Sequence, residues 1–223
     1  MRDGRSEGGR DGQELSGPTL DSGAMDLDPV TLRGDYVRLE PLSTEAHLAD
    51  LQEAGAHPEL FRWFTEDHSS PGAMRAFVEA ALDAQERGTA LPFATVLTAT
   101  GEAVGSTRFG NAAPEHRRVE VGWTWLTPDQ QRTRANTEAK YLMFSHAFEE
   151  WECARVELKT DSRNRRSREA IERVGGVEEG TLRKHMQTHQ GPRDTVYYRV
   201  LDEEWPSVRR RLEATLSRSD AEE

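Results

Sequence analysis

Between Gln131 and Gly176 the chain reads as a helix, a strand and a second helix with few residues to spare, and this order restricts its possible folds more than any other feature. Ala139, Leu142, Met143 and Ala147 recur at helical spacing, which predicts a helix from Ala135 to about Trp151. Asn136 and Thr137 are placed to cap it. The unpaired N–H groups of its first turn, at the positive end of the helix dipole, make a ready anion site, and Arg132 and Arg134 add positive charge beside it. The alternation of Val156, Leu158 and Thr160 with Arg155, Glu157 and Lys159 then gives a strand with one apolar face. Asn164 caps the next helix, Ala170, Ile171 and Val174 form its buried stripe, and Gly175 stands where a left-handed C-terminal cap is usual. Ser167, four residues before Ile171, points with the apolar face, either as a small packing residue or as a reactive hydroxyl.

The rest of the chain places strands and helices around this unit. A strand at 36–40 leads to a helix capped by Ser43 and running through Ala54; His57-Pro58 breaks it, and Pro71 opens another helix that reaches Gly88. Strands are predicted near 93–98, 103–111 and 118–126, then 177–186 and 193–201 joined by the turn-like THQGP, with a final helix after Asp202. The fold class is α/β in the α+β sense. In the strand at 118–126, Glu120 alternates with Gly122 and Thr124, opposite Val119, Val121 and Trp123. It is a surface carboxylate or, if partly buried, a general base.

Composition sets outer bounds. A chain of 223 residues can hold one sizeable core with tails. We expect a disordered leader at 1–33, poor in aliphatic residues and without periodicity, one domain at 34–218, and a flexible tail at 219–223. Met25 is a possible translation start. The leader lacks the apolar core of a secretory signal and nothing approaches a membrane span, so a cytoplasmic location without membrane contact is expected. The lone Cys153 excludes an internal disulfide and reads as a small buried hydrophobe. The formal charge of −11 argues against general nucleic-acid binding and, weakly, for cationic amine substrates. No metal-ligand spacing occurs. Lysine is found only at Lys140, Lys159 and Lys184, whereas arginine is abundant, so runs such as 165–168 reflect a general bias.

The segments NTEAK, RVELKT, NxxSxxAIxxxGG and EGTLRKHM, with YVRLEPL, VGSTRF, VEVGWTWL, RDTVYY and EEWP around them, resemble the GNAT superfamily of acetyl-CoA-dependent N-acetyltransferases. Within it they are most similar to the branch of ribosomal-protein N-terminal acetyltransferases. The resemblance extends over nearly all of Gly34 to Leu216 and implies the acyl-CoA N-acyltransferase fold, a mixed and mostly antiparallel central sheet flanked by helices. It also implies acetyl-CoA as the donor cosubstrate, with no metal, an amine acceptor, and a monomer or homodimer.

Carried residue by residue, the resemblance implies that Trp125, Leu126 and Thr127 hold the pantetheine arm and thioester. Gln131, Arg132, Thr133, Arg134, Ala135, Asn136 and Thr137 would hold the pyrophosphate, and Asn164 would contact pantetheine. Ser167 matches the acid that protonates the departing thiolate, and Glu120 matches the position of a base acting through water. The helical arm borders the acceptor pocket, making Phe61, Trp63 and Phe64 substrate walls or core aromatics. One departure stands out: Arg134 and Asn136 occupy places where the phosphate loop usually has small residues. Two rival readings follow, a silent acyl-CoA-binding module and an acetyltransferase for small amines such as polyamines or aminoglycosides.

Overall fold

The computed structural model describes residues 25–219, so the first 24 residues of the expected leader and most of the expected tail lie outside the described residues. The packed unit begins earlier than Gly34. Met25 is buried, Leu27, Val30 and Leu32 pack on the main core, and Leu32–Arg33 forms a short strand, β1. Apolar residues at these positions give the segment surface to bury.

The chain continues through β2 (Val37–Pro41), α1 (Thr44–Ala54), α2 (Pro71–Glu86), β3 (Ala90–Leu97), β4 (Ala103–Ala113) and β5 (Arg118–Leu126). Then come α3 (Ala135–Ser145), β6 (Arg155–Asp161), α4 (Arg165–Arg173), β7 (Val177–Thr188), β8 (Gly191–Leu201) and α5 (Trp205–Ser219). Ser43 and Ser70 cap α1 and α2 by accepting the backbone N–H of Ala46 and Ala73, and Pro71 occupies the first turn of α2. Gly175, at φ +110, ends α4 in the left-handed region that suits glycine.

Eight strands form one sheet in the order β1-β2-β3-β4-β5-β6-β8-β7. Every pairing is antiparallel except β5 with β6, which run parallel because α3 crosses over between them. Two apolar clusters cover the two faces. One joins α3, α4 and α5 through Phe144, Ile171 and Trp205; the other joins α1 and α2 through Leu51, Phe61, Met74 and Val78.

Two local features depart from the sequence expectation. The first helix of the central unit keeps α geometry only to Ser145 and widens into a π-turn over His146–Glu150. Its N-cap is Arg134, not Asn136 or Thr137, and the neighbouring Thr133 hydroxyl accepts the Ala135 N–H at 3.2 Å. Thr137 is instead buried, because the helix starts earlier and turns that side chain inward. Glu138, also buried, accepts the backbone N–H groups of Asp35, Tyr36 and Val37 at 3.0, 2.8 and 2.6 Å. Bonds to a charged acceptor contribute about 1.5–3 kcal/mol each, so this carboxylate pins the start of α3 to the β1–β2 turn. A Cβ on Gly34 would lie 2.5 Å from the Glu138 carboxyl carbon, which fixes glycine at that turn.

The second departure is in β5. Trp123 has φ +50, and the register against β4 gains one residue on β5 between its partners Gly122 and Trp125. This is a β-bulge. Strict alternation would put Trp123 with Val119 and Val121, but the extra residue reverses the faces beyond it. Trp123 and Trp125 pack with the α1–α2 cluster, while Leu126 joins Val119 and Val121 in the main core.

Candidate active site

Pairing between β5 and β6 lasts for three residue pairs, ending at Glu120 and Glu157. β5 then runs on to Leu126 and β6 to Asp161, so the strands part and, among the described residues, the edge of β5 from Val121 onward has no strand partner on that side. A cleft of about 510 Å³ fills the gap. A backbone edge inside a protein needs hydrogen-bond partners, and an extended, amide-bearing ligand supplies them.

Glu120 lies at the apex of the split and is buried, not on the half-exposed surface that alternation alone allows. Lys159, across on β6, sits 2.9 Å from its Oε2, and the Asn111 amide donates to the same oxygen at 2.6 Å.

On the other face of β5, Lys140 reaches from α3 into the cleft wall. Its Nζ donates to the hydroxyls of Thr124 at 2.7 Å and Thr107 at 3.2 Å. Burial lowers this ammonium from its usual 10.5 to about 7.

At one end the cleft is basic, with Arg132, Arg166 and Arg173 among its lining. Gln131 stands there too: its Nε2 donates to the Leu126 carbonyl at 2.8 Å and its Oε1 accepts from Arg166 of α4. Asn136 opens the same stretch of wall. Arg134 does not crowd it. Its guanidinium lies over the Tyr36 ring at 4.9 Å, and its backbone, at φ −65 and ψ −22, is ordinary helix with no need of glycine. Farther along, Asn164 caps α4 by accepting the Ser167 N–H at 3.1 Å. The Ser167 hydroxyl is half-buried, lines the cleft and has no hydrogen bond among the described residues, unlike a serine spent on packing.

Of the residues expected to hold the donor, Trp125, Leu126, Gln131, Arg132, Asn136 and Asn164 therefore line one cleft together with Glu120 and Ser167. Thr127, Thr133, Arg134, Ala135 and Thr137 stand behind it. Thr133 serves the α3 cap, and Ala135 and Thr137 are buried.

At the opposite end, Trp63 and Phe64 line the wall. Phe61 does not; it is fully buried, with its ring edge-on to Phe64, His68 and Trp125 at 5.4–5.5 Å, because the α1–α2 cluster needs a large apolar group there. The β7–β8 turn closes onto this segment. His189 N–H donates to the Thr65 carbonyl at 2.9 Å and Arg193 Nη1 to that of Trp63 at 3.3 Å. Cys153 is buried away from the cleft lining, and burial pushes its thiol up to about 12, so it is an inert core group.

Lys140 and Lys159 are cleft residues that pattern reading missed, whereas the loop from Met186 to Arg193, expected to border the acceptor, supplies both of its end residues to the lining. A signal was present: in an arginine-rich chain with only three lysines, two are in this cleft.

No group of three or more His, Cys, Asp or Glu side chains suited to a metal occurs among the described residues, and no described helix is long and apolar enough to cross a membrane.

The family model described as the acetyltransferase (GNAT) domain matches residues 37–177. Bacillus subtilis (strain 168) YdaF, provisionally named a ribosomal N-acetyltransferase, is 31% identical over 105 residues, 47% of this chain and 57% of that protein. The chain thus spans little more than half the length of this curated relative. A provisionally assigned acetyltransferase from T. thermophilus superposes with a TM-score of 0.76 at 40% identity, covering 84% of this chain and 97% of that one. Mycobacterium smegmatis RimJ, solved with CoA-disulfide, shares the fold at 23% identity and a TM-score of 0.70, with 84% and 92% covered. The split between β5 and β6, the cleft it opens and these likenesses agree: the chain belongs to the GNAT family of N-acetyltransferases.

Proposed function

We propose that the protein transfers an acetyl group from acetyl-CoA to a primary amine, with a protein or peptide N-terminal amine as acceptor, by direct attack in a ternary complex. The observation that carries this reading is the open edge of β5 from Val121 to Leu126, with Glu120 at its apex and a basic end at Arg132 and Arg166. The pantetheine arm would lie along that edge as an added strand, and the diphosphate would rest at the basic end beside the start of α3. The M. smegmatis relative bound to CoA-disulfide and the provisional name of the B. subtilis relative support the donor and the acceptor class respectively.

In this scheme the amine nitrogen attacks the thioester carbonyl carbon, the C–S bond breaks, and coenzyme A leaves as its thiol. The Ser167 hydroxyl supplies the thiolate with a proton, and Glu120 takes the proton released by the amine, directly or through a water. A thiol ionises near 8.5, so a proton donor for it is worth a modest factor. Ser167→Ala should therefore lower kcat about tenfold while leaving the Kd for acetyl-CoA within about twofold. A loss confined to donor affinity would reassign Ser167 to binding.

Saturating acetyl-CoA at about a hundred times its Kd should raise Tm by about 5–10 °C, since a ligand of the native state stabilises it by mass action. No shift would remove the donor assignment. Mass spectrometry of peptides, polyamines and aminoglycosides incubated with acetyl-CoA then tests the acceptor. Acetylated peptide N-termini are the expected product. Polyamines or aminoglycosides modified far faster than any peptide would favour the small-amine reading, and donor binding without product would favour a silent module.

A further inference from the structure

The acceptor end of the cleft holds a cation that the protein leaves unmatched. Arg193, at the start of β8, is 8% exposed and lines the cleft. Among the described residues its Nη1 makes one long bond, to the Trp63 carbonyl at 3.3 Å, and its Nε is buried with no partner. A guanidinium carries five N–H donors, and leaving buried donors unbonded is costly, so a group placed this way awaits an acceptor.

The carboxylates around it are committed elsewhere. Asp161 is held by the Nε and Nη2 of Arg163 at 2.9 and 2.7 Å, and Glu120 by Lys159 and Asn111. Both lie near enough for their charge to act on Arg193 without forming an ion pair with it. Asp194, the next residue on β8, accepts the Lys184 N–H of the neighbouring strand at 2.7 Å. Lys159, Arg163 and Arg193 thus meet the carboxylates Glu120, Asp161 and Asp194, the last acting on Arg163, and none of the three is in an ion pair with Arg193. Arg62 and Arg163 lie over the Trp63 ring at 5.0 and 5.1 Å.

We propose that Arg193 selects the acceptor by binding a carboxylate that the acceptor carries near its amine. The planar fork of the guanidinium fits a carboxylate in two parallel bonds. The inference rests on the peptide reading above, under which the carboxylate is an Asp or Glu side chain at the first or second position. In the proposed placement the donor phosphates would rest beside Arg132 and Arg166, which leaves Arg193 to the acceptor.

The test compares kcat/KM for matched short peptides carrying Asp or Asn, and Glu or Gln, at these positions. Free aspartate and asparagine form a second arm, and spermidine a third. Wild-type enzyme should favour the acid over its amide by roughly 10- to 100-fold, mostly through KM, the range of one charge-assisted contact. In Arg193→Gln the ratio should fall close to one, and Arg193→Lys should keep part of it. Because the ratio is taken within each enzyme, a smaller folded fraction in a variant cancels. Equal use of acid and amide by the wild type, or a preference that survives Arg193→Gln, overturns the role of Arg193 while leaving the peptide reading intact. An acid preference limited to free aspartate keeps Arg193 and replaces the peptide. Turnover of spermidine alone overturns both.

Discussion

Glu120→Gln should lower acetyl transfer about a hundredfold or more near neutral pH, with the deficit greatest in acid and shrinking toward pH 9. General base catalysis by a placed carboxylate contributes roughly 10²–10⁴. An N-terminal ammonium has a pKa of about 7.7–8.0, so below that range wild-type enzyme must remove a proton that Gln cannot accept. Above it the free amine predominates and the base matters less. The substitution has a second effect that must be measured separately. It strips Lys159 of its 2.9 Å partner and sets a new amide facing the Asn111 donor, and breaking such a pair by one partner costs about 3–5 kcal/mol. Tm reports that loss, while the shift produced by acetyl-CoA reports whether the cleft survives. With the shift retained, a variant whose pH–rate profile parallels wild type would reduce Glu120 to a structural ion-pair partner.

Lys140→Met should make the protein more stable and flatten the rise in stability of wild-type protein between pH 7 and 10. The sign follows from the shift. Folding lowers the ammonium from 10.5 to about 7, so between those values the unfolded chain binds the proton and the folded chain does not. Stability then increases with pH across that window, by about 1.4 kcal/mol per unit from this group, and the full cost of burying the charge is present below pH 7. Methionine has similar reach and no charge to desolvate. Thr107 and Thr124 keep their mutual 2.8 Å hydrogen bond, so few polar groups lose a partner. Replacing a buried charge by a matched apolar group is worth about 1–4 kcal/mol. Urea unfolding of both proteins at pH 6.5, 8 and 9.5 isolates this contribution as the difference between them. Parallel pH curves, or a methionine variant less stable than wild type at pH 6.5, would contradict the buried, weakly basic lysine.

Periodicity carried the sequence reading far where one face of an element is buried. The bounds of β5, the caps Ser43, Asn164 and Gly175, and the helix start at Pro71 follow from local chemistry that needs no distant partner. The cleft itself followed less well. Alternation assumes two residues per pleat, and the bulge at Trp123 breaks that count; Gly122 just before it was a local signal, but the left-handed residue is the tryptophan. Burial of Glu120 depends on Lys159 from another strand and Asn111 from a third, a contact set that no window around residue 120 contains. Phe61 and Phe64 look alike in sequence; only the packing of α1 on α2 makes one a core residue and the other a wall. For Arg134 the unusual residue type was legible, but its harmless direction over Tyr36 was not.

Three residue pairs hold β1–β5 and β6–β8 together as one sheet, and beyond them the two halves diverge like pages from a short spine. A molecule that hydrogen-bonds along the open edge of β5 and touches α4 on the far side becomes a strut between those pages. Its affinity then includes the work of setting their spread, and that work depends on side chains at the spine, such as Val119 and Val156, which never meet the molecule. With the donor seated as proposed, its affinity and the rigidity of the sheet would be one coupled quantity, adjustable from inside the core without altering a single contact in the cleft.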